Sequence, residues 1–446
     1  MTTFEVSISE VDVPPLPLSR LLPVIGSDRL AALEDKAAVV AASLGNRTIW
    51  NVNSTATGGG VAEMLLVLVG YAKGAALDVR WAVIEGDPAF FAITKRIHNR
   101  IHGMPGDRGQ LGEREAAHYR EVTAANAAAL VERVQRGDVV VLHDPQTAGM
   151  ARHVADAGAH VVWRCHIGAD HANEHTEAAW AVLRPHLEHA EAVVFSRQEY
   201  VPPWVTPARA VVIPPSIDPF SPKNHDLSAE EVASLVGQAA PSLVDLHAPL
   251  VVQVSRWDRL KDMAGVMTGF ASVTAPASDA HLALVGPDVR RVLDDPEGAE
   301  VLAECEAARK ALPASVRQRV HLVTLPMDDV ARNALMVNAL QRSATVIVQK
   351  SLAEGFGLTV AEGMWKRRPV VGSAVGGIVD QLVPGTGVLL DDPADLDAFG
   401  HALADLLGRP EEIERLGHTA QEHVRDHFVG DRHLLHYAEL FCRLCT

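Results

Sequence analysis

Short apolar runs that recur at intervals, many of them followed by a turn and a helical stretch, constrain this chain more than any other feature. A first set covers residues 48–53, 79–84, 139–142, 160–163, 192–195 and 210–213, with helical segments such as 113–135 and 178–187 between them. Strands that are apolar on both faces and joined by helical crossovers predict a parallel sheet covered on both sides. Regular structure breaks at Pro214-Pro215-Ser216-Ile217-Asp218-Pro219, a polar helical stretch follows at 228–238, and the alternation restarts at 250–255. The second set continues through 281–285, 320–325, 344–349, 369–372 and 388–390. The fold class expected is α/β, with two doubly wound, Rossmann-like domains facing a central cleft. The expected division is an extension over 1–46 packing on the first domain, a first domain over 47–213 and a linker region over 214–248. A second domain over 249–425 and a C-terminal helix over 426–446 returning to the first complete it. A length of 446 residues suits two or three domains.

Composition narrows the class. Apolar residues make up 48% and charged residues 22%, an ordinary globular balance that excludes disorder and fibrous repeats. The net charge of −16 (40 basic against 56 acidic side chains) argues against attachment to nucleic acid or to an anionic membrane by bulk charge. Small molecules are the partners expected, with a homodimer as the common assembly. Four cysteines suit a reducing cytoplasm, and the CxxC spacing of Cys442 and Cys445 lacks the second pair a zinc site needs. The N-terminus lacks the basic-then-apolar pattern of a signal peptide, and runs such as MLLVLVGYA are too short to span a bilayer. A soluble, cytoplasmic protein is expected.

In doubly wound sheets, ligands gather beyond the carboxyl ends of the strands. Those ends are polar here: Glu85-Gly86-Asp87, His143-Asp144-Pro145-Gln146, Arg164-Cys165-His166 and Ser196-Arg197. The first strand runs into Gly58-Gly59-Gly60, where glycine allows a close backbone approach to a ligand or simply makes a tight turn. Residues 90–112, aromatic and basic with glycines, read either as a solvated helix and loop or as a lid. In the second half, Arg256 and Lys261 stand five positions apart across a strand–helix turn and can converge on one diphosphate, a guanidinium fork beside a point charge. Residues 350–377, KSLAEGFGLTVAEGMWKRRPVVGSAVGG, place Glu354 on a turn and Glu362 on the helix behind it, with backbone N–H groups between them at a helix N-terminus. Two such carboxylates can address different parts of one polyhydroxylated ligand. GxSxG, GxxxxGK[ST], HExxH and a metal–diphosphate DxD are all absent from the sequence, so no residue pattern calls for a metal or a bound cofactor.

Taken together, these residues resemble the retaining glycosyltransferases of the GT-B fold. VNSTATGGGVAEML, EGDPAFFAITKRIHN, LHDPQ, WRCHIG and IPPSIDPFSPKN resemble more narrowly the trehalose synthase (trehalose glycosyltransferring synthase) family. The resemblance implies transfer of a sugar, in that family glucose, from a nucleoside diphosphate sugar to glucose, giving trehalose reversibly and without a metal. A related transferase with another donor sugar, or with a thiol, amine or alcohol acceptor, is the alternative; a silent binding protein is a third. By the same resemblance Arg256 and Lys261 neutralise the diphosphate, and Glu362 accepts from the ribose hydroxyls. Glu354 and the N–H groups of Gly355, Phe356 and Gly357 hold the transferred sugar, and Leu358 and Thr359 meet the phosphate. Gly59 and Gly60 let the first domain approach the diphosphate, and His166 lies against the donor sugar. Glu85, Asp144 and Gln146 are the acceptor candidates.

Overall fold

A computed structural model of the protein describes residues 6–57, 60–244, 247–289 and 296–445. The chain divides into two units, Met1–Ser216 with Gly430–Thr446, and Ile217–Val429. The crossing points are neighbours: Ile217 pairs with Val429 in parallel, and the Ile217 N–H donates to the Phe428 carbonyl at 2.8 Å.

The first unit holds a seven-stranded sheet. Its strands are β1 (Ser9–Glu10), β2 (Ile49–Asn53), β3 (Val79–Val83), β4 (Val139–His143), β5 (His160–Arg164), β6 (Ala192–Phe195) and β7 (Ala210–Val212), in the order β1-β3-β2-β4-β5-β6-β7. All pairs are parallel except β1 with β3. β1 was not expected from the sequence; two exposed residues carry no apolar run to announce it. β2 and β4 are buried at every position, because successive side chains point to opposite faces and both faces are covered. Trp50, Val52, Val140, Leu142 and Trp163 pack on one face. Ile49, Val139, Val141 and Val162 pack on the other, with Tyr437, Leu440 and Phe441 of the helix Gly430–Cys445. The helix Leu22–Leu44 also packs against Gly430–Cys445, and Arg29 is held bidentately by the fully buried Asp431, with Nη2 to Oδ1 at 2.8 Å.

Segment 90–112 divides. The helix Pro88–Ile101 sends Phe90, Ile93, Ile97 and Ile101 into the core, so this part is structural scaffold. The loop behind it is tied down where Arg96 grips Asp107 and Arg100 donates to the Gly109 carbonyl at 2.8 Å.

The second unit holds six parallel strands: β8 (Leu250–Val254), β9 (His281–Pro287), β10 (Val320–Leu325), β11 (Val346–Gln349), β12 (Val370–Ser373) and β13 (Gly387–Leu390), in the order β10-β9-β8-β11-β12-β13. Two apolar layers cover its faces. Segment 217–248, read from the sequence as part of a linker, lies in this unit. The Ser228 side chain caps its helix Ala229–Ala239, which packs on the helix Val330–Ser343. No helix among the described residues is long and apolar enough to cross a membrane.

Candidate active site

In each sheet the strand order reverses beside an inner strand, at β2/β4 in one and β8/β11 in the other. Ligands of doubly wound sheets bind beyond the strand ends at that switch.

In the second unit the segments leaving β8 and β11 hold one another. The Leu352 N–H donates to the Leu260 carbonyl at 2.8 Å, and the Gln253 carboxamide donates to the Lys261 carbonyl at 2.8 Å. This brings Lys261 Nζ to 2.7 Å from Glu354 Oε2, with both side chains largely buried. Behind them the fully buried Lys350 pairs with Asp262, which adopts φ 46 and caps the following helix through the Gly265 N–H at 3.1 Å. Arg256 is half exposed, its Nη2 3.2 Å from Asp258 Oδ2.

Beyond Glu354 the backbone turns at Gly357, whose φ of 82 suits glycine, into the helix Leu358–Trp365. No side chain caps this helix, so Leu358 and Thr359 open it with N–H groups directed out of its end. Thr359 Oγ1 is anchored on Gln349 Oε1 at 3.0 Å. The loop is pinned from behind. The Gly377 N–H donates to the Gly355 carbonyl at 3.1 Å, Gln381 Nε2 donates to the Phe356 carbonyl, and a Cβ on Gly377 would stand 2.7 Å from Phe356 Cα.

One turn into the helix, Glu362 is 3% exposed, and its Oε2 is buried without a hydrogen-bond partner. Leaving such an acceptor unsatisfied costs about 1–3 kcal/mol, more when it is charged. A ligand hydroxyl would remove that cost. Lys223 Nζ stands 4.0 Å from Glu362 Oε1, and Lys366 Nζ donates to the Glu362 carbonyl and to Asn224 Oδ1, each at 3.0 Å. Burial pushes Lys366 down to about 7 against the pull of the Glu362 charge.

The first unit offers a different chemistry. Asp144 follows β4 with φ 62, a left-handed conformation that Asp tolerates, and its Oδ1 accepts the His166 backbone N–H at 2.8 Å. Burial raises its carboxyl to about 6, opposed by that hydrogen bond and by the charge of Arg164. His143 Nδ1 lies 2.9 Å from His166 Nε2, and His143 Nε2 lies 3.2 Å from Asn51 Oδ1. Burial, then the Arg164 charge, hold His143 near a pKa of about 3 and His166 well below its usual value. Both rings are therefore neutral at physiological pH. Gln146 adds a buried Oε1 without a partner.

The structure thus joins Lys261 to Glu354, stations Gly355–Thr359 and Glu362 along the same segment, and gathers Asp144 and His166 at one place. Glu85 is elsewhere. It is exposed, its Oε1 accepts from Ser7 Oγ at 3.0 Å, and β2 separates its strand from that of Asp144. Gly60 opens the helix Gly60–Gly74 in an exposed position, whereas Gly59 lies outside the described residues. Asn51, Lys223, Lys350 and Lys366 were not singled out from the sequence as parts of a site, and Arg164 was named there only as a polar strand end. Their partners are mostly distant in the chain; only the parity of β2, β4 and β5, which puts Asn51, His143 and Arg164 on one sheet face, could have pointed to some of them. Among the described residues no group of three or more His, Cys, Asp or Glu side chains is placed to hold a metal ion.

Two doubly wound units, the second with a charged loop before an uncapped helix end, fit the GT-B fold of glycosyltransferases. The family model for glycosyl transferases group 1 matches residues 239–423, and that for the trehalose synthase N-terminal domain matches residues 51–202. The trehalose synthase of Rubrobacter xylanophilus is 36% identical over 409 residues, covering 91% of this chain and 92% of that protein. The trehalose synthase of Thermococcus litoralis is 35% identical over 418 residues, covering 94% of each. A UDP-forming alpha,alpha-trehalose-phosphate synthase from Burkholderia vietnamiensis shares the fold, with a TM-score of 0.68 over 88% of this chain and 97% of that one at 17% identity. The chain belongs to the trehalose synthase family.

Proposed function

We propose that the protein transfers glucose from a nucleoside diphosphate glucose to the anomeric hydroxyl of a second glucose, with retention, giving trehalose and the nucleoside diphosphate, reversibly. The observation that carries this reading is the Glu354–Lys261 pair set directly before an uncapped helix N-terminus, with the unsatisfied Glu362 one turn on. Sugar hydroxyls, diphosphate and ribose hydroxyls would each find a complementary group in that order along one segment.

Arg256 and Lys261 are assigned to the diphosphate, where negative charge grows as the bond from C1 to the phosphate oxygen breaks. Two fixed cations and the N–H groups of Leu358 and Thr359 serve there as the charge sink, and no metal is assigned a role. Glu354 and the N–H groups of Gly355, Phe356 and Gly357 hold the transferred glucose, and Glu362 takes the ribose hydroxyls. In the first unit Asp144 and Gln146 are assigned to the acceptor and His166 to the transferred sugar. The new bond forms between C1 and the acceptor O1, on the face the phosphate leaves. The acceptor proton passes to the departing phosphate oxygen, so no side-chain base is needed.

The test is transfer from UDP-, ADP- or GDP-glucose to [1-¹³C]glucose in the presence of EDTA, followed by NMR. A single product carrying the α,α linkage with label in one ring is expected. A β linkage would overturn retention, and no product with any of the three donors would overturn the reading.

A further inference from the structure

We propose that His143 is a positioning residue for His166, and that Asn51 sets the direction of the hydrogen-bonded chain joining the three side chains. This rests on the reading of His166 as the group against the transferred sugar. The geometry itself stands apart from that reading.

Strand parity brings the chain together. Asn51 on β2 and His143 at the end of β4 project to the same sheet face, the one covered by the helix Gly430–Cys445. Asn51 is 3% and His143 1% exposed, whereas His166 is half-buried. The two ring planes lie within 8° of each other, with centroids 5.2 Å apart. With the facing nitrogens only 2.9 Å apart, that centroid separation is reached only when the rings meet edge to edge in nearly one plane. His166 therefore cannot swing about its Cβ without breaking the hydrogen bond.

Direction follows from proton counting. The Asn51 carboxamide oxygen is an acceptor, so His143 Nε2 carries the hydrogen, and in a neutral ring Nδ1 is then the acceptor. His166 Nε2 must donate to it, which leaves His166 Nδ1 with a lone pair. A neutral His166 in this tautomer presents an acceptor to a sugar hydroxyl. Neutrality has its own support. The buried Arg164 guanidinium, with Nε and Nη1 lacking partners and Nη2 3.5 Å from Ser196 Oγ, disfavours a further positive charge on His143, His166 and His433 alike. Asp144 stands beside the pair, and its Oδ1 accepts the His166 backbone N–H.

The test is a double-mutant cycle in the full chain, with trehalose formation as one readout and ¹⁵N NMR of the imidazole nitrogens as the other. His143→Phe should lower kcat at least about thirty-fold while KM for the nucleotide-glucose stays within about threefold. The double variant His143→Phe/His166→Ala should be no slower than His166→Ala alone. Asn51→Leu should reproduce His143→Phe, and Asn51→Asp, which keeps an acceptor in place, should restore at least a third of the rate. In the wild type His166 should show a single Nε2–H tautomer, and in His143→Phe a mixture. Losses that multiply in the double variant, or a mixed tautomer in the wild type, would overturn the proposal. Unchanged turnover in His166→Ala would instead remove the role of His166 itself, with the tautomer readout left to report on the chain.

Discussion

The two sheets of this protein each carry a switch point, β2/β4 in one and β8/β11 in the other, and load it with contrasting chemistry. Beyond β8 and β11 stand paired charges, Lys261 with Glu354 and Lys350 with Asp262, next to an uncapped helix end. Beyond β4 and β5 stand neutral imidazoles, a carboxamide and one carboxylate that burial lifts toward neutrality. A charged substrate half, the nucleoside diphosphate, suits the first set, and an uncharged polyol suits the second. The same class of sheet can thus present different chemistry, because the residues at the strand ends differ.

The largest effect that would sharpen this contrast comes from the charged side. Lys261→Ala or Arg256→Ala should cut kcat about 10²-fold or more by removing charge opposite the leaving diphosphate. Lys261→Ala also removes the cation that stands 2.7 Å from the largely buried Glu354. Initial rates of trehalose formation decide the matter, and unchanged rates in both variants would break the assignment.

Glu362→Gln comes next. Weakening one charge-assisted acceptor of about 1.5–3 kcal/mol should raise KM for the nucleotide sugar roughly tenfold or more, with a smaller change in KM for glucose. An equal rise in both constants would erase the division of labour between the units.

On the neutral side the signal is a pH profile. Asp144 loses its proton near pH 6, so kcat/KM for glucose should fall on the acid side of about 6 with a single-proton limb, and Asp144→Asn should lower the plateau and abolish that limb. A limb that persists in the variant belongs to another group.

The smallest effect concerns stability. Lys366 has its folded pKa depressed to about 7 from 10.5, so between those values the unfolded chain binds more protons than the folded one. Stability should therefore rise with pH from about 7 toward 10, and Lys366→Met should flatten that slope in melting curves. A slope that survives the change places its source elsewhere.

Much of the fold was legible because buried parallel strands are continuous apolar runs and glycine or proline punctuates them. β8 to β13 lie within a few residues of the positions read from sequence. The edge strand Ser9–Glu10 was not legible, since its pairing with β3 depends on backbone bonds and not on side-chain pattern. Of the residues the structure brings together, Lys261, Glu354 and Glu362 could be read locally, each following a strand end or lying one turn into a helix. The Asn51–His143–His166 chain was legible only as a shared strand parity of Asn51 and His143, because its members are separated by 92 and 23 residues and meet only once the sheet is assembled. Glu85 shows the converse. A polar residue at the right strand end is engaged by Ser7, 78 positions away, which no local pattern foretells.

The measurement that bears most directly on the pairing of a charged donor half with a neutral sugar half is the reverse reaction. The protein is incubated with trehalose and, in turn, UDP, ADP and GDP, and products are separated by anion-exchange chromatography. With at least one nucleotide, nucleoside diphosphate glucose and glucose should appear in equal amounts; the absence of nucleotide sugar with all three would contradict the assignment of this protein as a trehalose-forming glucosyltransferase.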